Sequence, residues 1–156
     1  MSKENLKIAI DADDAATDLK NLITDYIREK GYDIQDLDFS GEKGAMYPEI
    51  GYNLAKQVQA GTYNRGILIC GTGLGMSMIA NKVKGVFAGL CHDVYSAERL
   101  RKSNDANVIT FGARVIGSEL AKMIVDAWLE SDFQDGRSTP KVEQMRALES
   151  ESFGSI

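Results

Sequence analysis

Cys70 and the glycines that follow it form the part of this chain best equipped for chemistry. The run Gly66-Ile-Leu-Ile-Cys-Gly-Thr-Gly-Leu-Gly-Met-Ser-Met-Ile-Ala-Asn-Lys82 reads as an apolar strand, a cysteine, then a glycine turn opening a helix. Backbone N–H groups at a helix start lack partners and carry the positive end of the helix dipole, and Gly71, Gly73 and Gly75 let an anion approach them closely. A free cysteine titrates near about 8.5 and a helix N-terminus lowers that value, so this position predicts a useful thiolate fraction near neutral pH. The arrangement proposes a base beside an oxyanion site. The same residues admit a plain reading, in which the glycines only permit a tight turn and the cysteine is inert filler. Nucleotide binding is a poorer match. The spacing is G-x-G-x-G rather than G-x-G-x-x-G, it follows two earlier βα units, and no Gly-Lys-Ser/Thr is present.

The elements that must hold this loop alternate along the chain. Strands are expected near Lys7–Ile10, Asp33–Leu37, Gly66–Cys70, Val86–Leu90 and Val108–Thr110, and helices near Asp18–Lys30, Pro48–Ala60, Met76–Lys82, Val94–Lys102 and Ser118–Leu129. In the first helix Leu19, Leu22, Ile23, Tyr26 and Ile27 make one apolar stripe, and Gly31 ends it. Nearly continuous apolar strands such as Ile67-Leu-Ile69 imply burial on both faces. The expected class is therefore α/β, a Rossmann-like three-layer domain with a parallel sheet. Ligands of such sheets bind at the carboxyl ends of the strands, where Asp11, Asp13, Asp14, Tyr47, the Cys70 loop and Arg114 all fall. Residues 1–130 are read as this domain and 131–156 as a polar tail with a short helix, Lys141–Glu149. Its stripe of Val142, Met145 and Leu148 needs a partner surface, either its own domain or a neighbouring subunit.

Length and composition narrow the class further. At 156 residues the chain can bury a substantial core unaided. Two cysteines and one histidine, His92, make neither a disulfide framework nor a visible metal-ligand cluster, which fits a reduced, cytoplasmic setting. The N-terminal residues contain no apolar signal region, and no apolar run is long enough to cross a membrane. A net charge of −5 with dispersed Lys and Arg argues against a general nucleic-acid partner, whereas a small anion needs only two or three local cations.

Several motifs in fixed order carry a resemblance. Cys70-Gly-Thr-Gly-Leu-Gly-Met-Ser77, Ala80-Asn-Lys82, Tyr95-Ser-Ala97, Asn104-Asp-Ala-Asn-Val108, Phe111-Gly-Ala-Arg114 and Ala121-Lys-Met-Ile-Val-Asp-Ala127 closely resemble the type B ribose-5-phosphate isomerase and galactose-6-phosphate isomerase family. The likeness runs from about Lys7 to Met145. It implies a five-stranded parallel sheet, a homodimer or homotetramer with sites at the subunit boundary, and aldose–ketose isomerisation of a small phosphorylated sugar without metal or other cofactor. It also implies roles. Cys70 matches the cysteine that moves a proton between C1 and C2, where the other branch of the family uses a glutamate at the position of Met76. Thr72 and the N–H groups from Gly71 through Gly73 and Gly75 to Ser77 match the groups that hold the enediolate. Asp13, Asp14, Tyr47, Ser103 and Asn104 fall at sugar-contacting positions. Arg114 matches the phosphate clamp together with Arg137 and Lys141, the last two from the neighbouring subunit.

Two positions depart from the family's pentose isomerases, which carry histidine where this chain has Asp14 and Ser103. In the family the second histidine assists ring opening. An aldotetrose esterified at O4 has no free hydroxyl from which to close a furanose and needs no such acid. The segment His92–Arg99, with Ser103 and Asn104, also resembles the family's tetrulose-phosphate isomerases. The expected substrate pair is thus erythrose 4-phosphate and erythrulose 4-phosphate. Ribose 5-phosphate is the alternative, and a non-catalytic sugar-phosphate-binding subunit is the competing class.

Overall fold

Along the strands, successive side chains enter two different cores. In the computed structural model, which describes residues 1–39, 41 and 44–154, Ile8, Ile10, Ile67, Ile69, Ile109 and Phe111 pack into one core while Ala9, Leu68, Cys70 and Val108 pack into the other. This period-two alternation with both sides buried is what a sheet covered on each face requires. The strands are β1 Lys7–Ala12, β2 Asp33–Asp36, β3 Arg65–Cys70, β4 Ala88–Leu90 and β5 Val108–Gly112. They form one parallel sheet in the order β2-β1-β3-β5-β4.

The helices are α1 Thr17–Glu29, α2 Tyr47–Gln59, α3 Leu74–Ala80, α4 Val94–Lys102, α5 Ser118–Leu129 and α6 Thr139–Phe153. Helices α1, α4 and α5 cover the first core, where Ile23, Ile27, Ala97, Ile124 and Trp128 are buried. Helices α2 and α3 cover the second through Ile50, Leu54, Val58, Met76 and Ala80. Among the described residues no helix is long and apolar enough to cross a membrane.

The expected five-stranded parallel architecture is the one observed, with shifts at element ends. Helix α3 starts at Leu74 rather than Met76, because Gly73 turns the chain at φ 78° and the Thr72 hydroxyl oxygen accepts from the Leu74 N–H. Strand β4 starts at Ala88 rather than Val86, since the Val86 N–H closes a turn onto the Val83 carbonyl. Helix α6 runs past the expected Lys141–Glu149, from Pro140 in its first turn to Gly154 at its end. Of its stripe only Val142 is buried, and Met145 and Leu148 are exposed.

Several polar groups are buried in this framework, Lys20 among them. Lys20 on α1 is almost fully buried, and its ammonium pairs with Asp36 at 3.1 Å and Asp38 at 3.6 Å. Removing one partner of a buried pair strands the other, so Lys20→Ala is expected to cost about 3 kcal/mol, the lower end for such pairs because Asp36 keeps some water. Urea unfolding checks this, and a loss below about 1 kcal/mol would show the pair to behave as a surface one.

Candidate active site

The order β2-β1-β3 means that the chain leaves β1 toward one edge and returns on its other side. The loops after β1 and β3 therefore meet at the carboxyl ends, the position where open α/β sheets bind ligands. The Asp13 N–H donates to the Ile69 carbonyl, fastening the two loops together. A cleft of about 280 Å³ opens there, lined by Asp13, Tyr47, Cys70, Gly71, Thr72, Gly75 and Arg114. A second hollow of about 390 Å³ continues it through Asp13 and Tyr47 to Asp14, Gly44, Met46 and Pro48.

The glycines are required by close approach. A methyl group at Gly75 would stand 2.5 Å from Tyr47 Cε2, and one at Gly71 would stand 3.3 Å from an Arg114 guanidinium nitrogen. The Tyr47 ring and the Arg114 head thus rest directly on the loop backbone. Arg114 is brought there by β5: the Ala113 N–H donates to the Cys70 carbonyl and the Arg114 N–H to the Gly71 carbonyl. Beneath the loop, the Thr110 hydroxyl donates to the Gly73 carbonyl at 2.9 Å.

Cys70 ends β3 with its sulfur toward the α2–α3 core, and the Gly73 N–H donates to Sγ at 3.1 Å. Met76 is fully buried and would touch a methyl group at Gly51, so that position offers no base to the cleft. The Gly71, Thr72 and Gly75 N–H groups have no acceptor among the described residues. Ser77 differs from expectation. Its N–H donates to the Gly73 carbonyl as part of α3 and is not free for a ligand. Thr72 lines the cleft while its hydroxyl oxygen accepts from the Leu74 N–H at the start of α3. Asp13 does likewise: one carboxylate oxygen accepts from the Ala15 N–H. Burial, with Asp14 alongside, raises its pKa above the ordinary carboxylate value against the opposing pull of the Ala15 N–H and Arg114. Asp11 lies behind the cleft. It is fully buried, accepts from the Ala12 and Phe39 N–H groups, and is pushed up to about 6 by burial.

Four expected site residues lie elsewhere. In a parallel sheet the helix after a strand returns to the amino pole, so Ser103 and Asn104, at the end of α4, stand opposite the Cys70 loop. The tail joins them there through the Gln134 N–H on the Lys102 carbonyl. Arg137 and Lys141 follow, both exposed and without an ion-pair partner among the described residues. Ser103 is occupied locally, its oxygen accepting from Arg99 Nε at 2.9 Å and also from an Arg99 terminal nitrogen.

Sequence reasoning gave no role to His92, whose Nε2 accepts from the Gly112 N–H at 2.9 Å. Gly112 packs on Thr72, where a methyl group would lie 2.6 Å from the Thr72 backbone, so His92 braces the strand end behind the loop. A lone histidine just past a strand was the available signal. Cys91 is the chain's other cysteine. Burial, with the Asp93 charge beside it, pushes its thiol up to about 11. Iodoacetamide at pH 8 is therefore expected to label Cys70 and spare Cys91, read by peptide mass spectrometry; faster labelling of Cys91 would contradict the assignment.

Comparison with known proteins gives one consistent picture. Residues 8–145 match the profile of a family described as Ribose/Galactose Isomerase. The chain is 55% identical over 142 residues to a D-erythrulose-4-phosphate isomerase of Pectobacterium atrosepticum, covering 90% of this chain and 93% of that protein. It is 43% identical over 143 residues to the ribose-5-phosphate isomerase B of Escherichia coli, covering 92% and 96%. Its fold superposes on the ribose-5-phosphate isomerase B of Clostridium thermocellum with a TM-score of 0.89 at 41% identity, over 94% of this chain and 99% of that one.

Proposed function

The chain belongs to the ribose/galactose isomerase family and is a sugar-phosphate isomerase, and on that premise we propose that it interconverts erythrose 4-phosphate and erythrulose 4-phosphate with Cys70 as the base. The observation that carries this reading is the juxtaposition, in one cleft, of a thiol, free N–H groups and a guanidinium. The Cys70 thiolate removes the proton from the carbon beside the carbonyl, giving a cis-enediolate, and the thiol, whose proton exchanges with solvent, delivers a proton to the neighbouring carbon. A hydroxyl proton passes between the two substrate oxygens. Negative charge develops on those oxygens, where the Gly71, Thr72 and Gly75 N–H groups and the Thr72 hydroxyl serve as preorganised donors. Asp13 and Tyr47 hold the sugar hydroxyls, and Arg114 takes the phosphate.

Arg114 alone is a thin clamp for a dianion. We place Arg137 of the partner subunit, with Lys141 of the partner subunit, on the same phosphate. The support is that both residues are exposed, with no ion pair among the described residues, at the pole opposite their own chain's cleft. A tetrose is favoured over a pentose by Ser103, which stands where the family's pentose isomerases have histidine and whose oxygen is already engaged by Arg99. Ribose 5-phosphate remains the second reading, supported by the names of the Escherichia coli and Clostridium thermocellum relatives.

Mixing subunits tests the shared site. Cys70→Ala and Arg137→Ala chains are each expected to be impaired, Arg137→Ala by about tenfold at low substrate from one lost charge-assisted hydrogen bond. Refolded together in equal amounts they should regain about a quarter of wild-type activity, because half the random dimers carry one intact site of two. No gain over the separate variants would place the phosphate clamp within one chain.

A further inference from the structure

A second cavity, of about 680 Å³, lies at the amino ends of β3 and β5, between the domain body and α6. Its walls include four basic side chains, Arg65, Lys84, Arg101 and Arg146. Two of these are more than nine-tenths buried, Arg65 at 3% and Arg101 at 8% exposure. Burying two guanidinium groups beside one opening is unfavourable unless anions meet them. The carboxylates present meet them only in part.

Arg65 reaches Asp132 and the Trp128 carbonyl at 3.4 Å each, both at the limit of hydrogen bonding. Arg101 pairs with Asp105 at 3.2 Å and donates to the Ala106 carbonyl, yet its buried Nε has no hydrogen-bond partner among the described residues. Asp105 is also claimed by Arg146. Lys84 makes no ion pair among the described residues. Burial, aided by the neighbouring Arg101 charge, lowers the Arg65 guanidinium to about 10.

We propose that this cavity is a second anion site, for the phosphate group of a small phosphate monoester, held by Arg65, Arg101 and Lys84 at the pole opposite the Cys70 cleft. Guanidinium groups suit phosphate because their N–H forks match its oxygens, and Lys84 supplies a mobile point charge at the rim. Asn64, Asn107, Glu149 and Ser150 line the remaining space; Asn107 is held by the Phe87 N–H and the Gly85 carbonyl, and the side chains of Asn64 and Ser150 suit the ester's hydroxyls. Arg146 and Ser150 belong to α6, so a ligand here would tie that helix to the sheet. The inference is independent of the substrate assigned above.

The molecule contains its own reporter. Trp128 is the chain's single tryptophan, and the Arg65 guanidinium carbon lies 5.4 Å from its ring centroid. Inorganic phosphate, titrated at constant ionic strength with chloride, is expected to change Trp128 fluorescence saturably and to shift the Gly85 and Asn107 amides in NMR spectra. Arg114→Ala should leave the midpoint unchanged. Lys84→Ala, at an exposed position, and Arg65→Lys should each raise it at least about tenfold, as loss of one charge-assisted contact does. A silent Trp128 with amide shifts confined to Gly71–Gly75 and Arg114 would overturn the proposal, as would a response lost in Arg114→Ala and kept in Lys84→Ala.

Discussion

Cys70→Ala is expected to lower kcat by roughly 10²–10⁴-fold, the contribution of a positioned proton-transfer group, and to leave the affinity for inorganic phosphate within about twofold. The split follows from geometry. Cys70 lines the cleft and its sulfur accepts from the Gly73 N–H, while the phosphate contact proposed above belongs to Arg114, across Gly71. Cys70→Ser separates base from filler, because a hydroxyl of similar size keeps the packing but ionises far less readily than a thiol. Serine should therefore be nearly as inactive as alanine. Activity within about tenfold of wild type in both variants would remove Cys70 from the chemistry.

The second large effect is expected from Gly73→Ala. Gly73 holds φ 78°, a left-handed conformation costly for residues with a side chain, and an added methyl would lie 2.7 to 3.0 Å from backbone atoms of Phe111. Strand β5 cannot yield there without disturbing its pairing with β3. Strain and overpacking together should cost roughly 2–5 kcal/mol and shift the N–H that faces Cys70. Both the unfolding midpoint and kcat should fall. A stable but inactive Gly73→Ala protein would mean that the loop relaxes away from β5 while the sheet survives.

Much of this arrangement is legible in the residues themselves. Alternating apolar positions in β3 and β5 assign Cys70 to one face of a doubly covered sheet, and the glycines after it mark a turn needing close backbone approach. The gathering of Asp13, Tyr47, Cys70 and Arg114 follows from one rule about parallel sheets, and they share one cleft. The same rule places Ser103 at the far pole, since a helix that leaves the carboxyl end of β4 must come back before β5 begins. Motif order along the chain conceals that separation.

Other features depend on packing that spacing does not encode. The Ser77 N–H is consumed by α3 because the helix begins two residues earlier than its apolar pattern implies. Met145 and Leu148 remain exposed because α6 is anchored by charge, through Arg146 on Asp105 and Glu149 on the Gly85 N–H. Neither contact has a sequence signature, and the encounter of Arg65 with Arg101 joins two distant segments.

The most direct test of the account is NMR of the purified protein in deuterated buffer with erythrose 4-phosphate and ribose 5-phosphate offered in parallel. Ketose formation from the tetrose, with deuterium entering at the carbon that receives the proton and a kcat/KM well above that for the pentose, is the predicted result. Preference for ribose 5-phosphate would contradict the four-carbon assignment built on Ser103, and saturable binding of both sugars without turnover would contradict Cys70 as a working base.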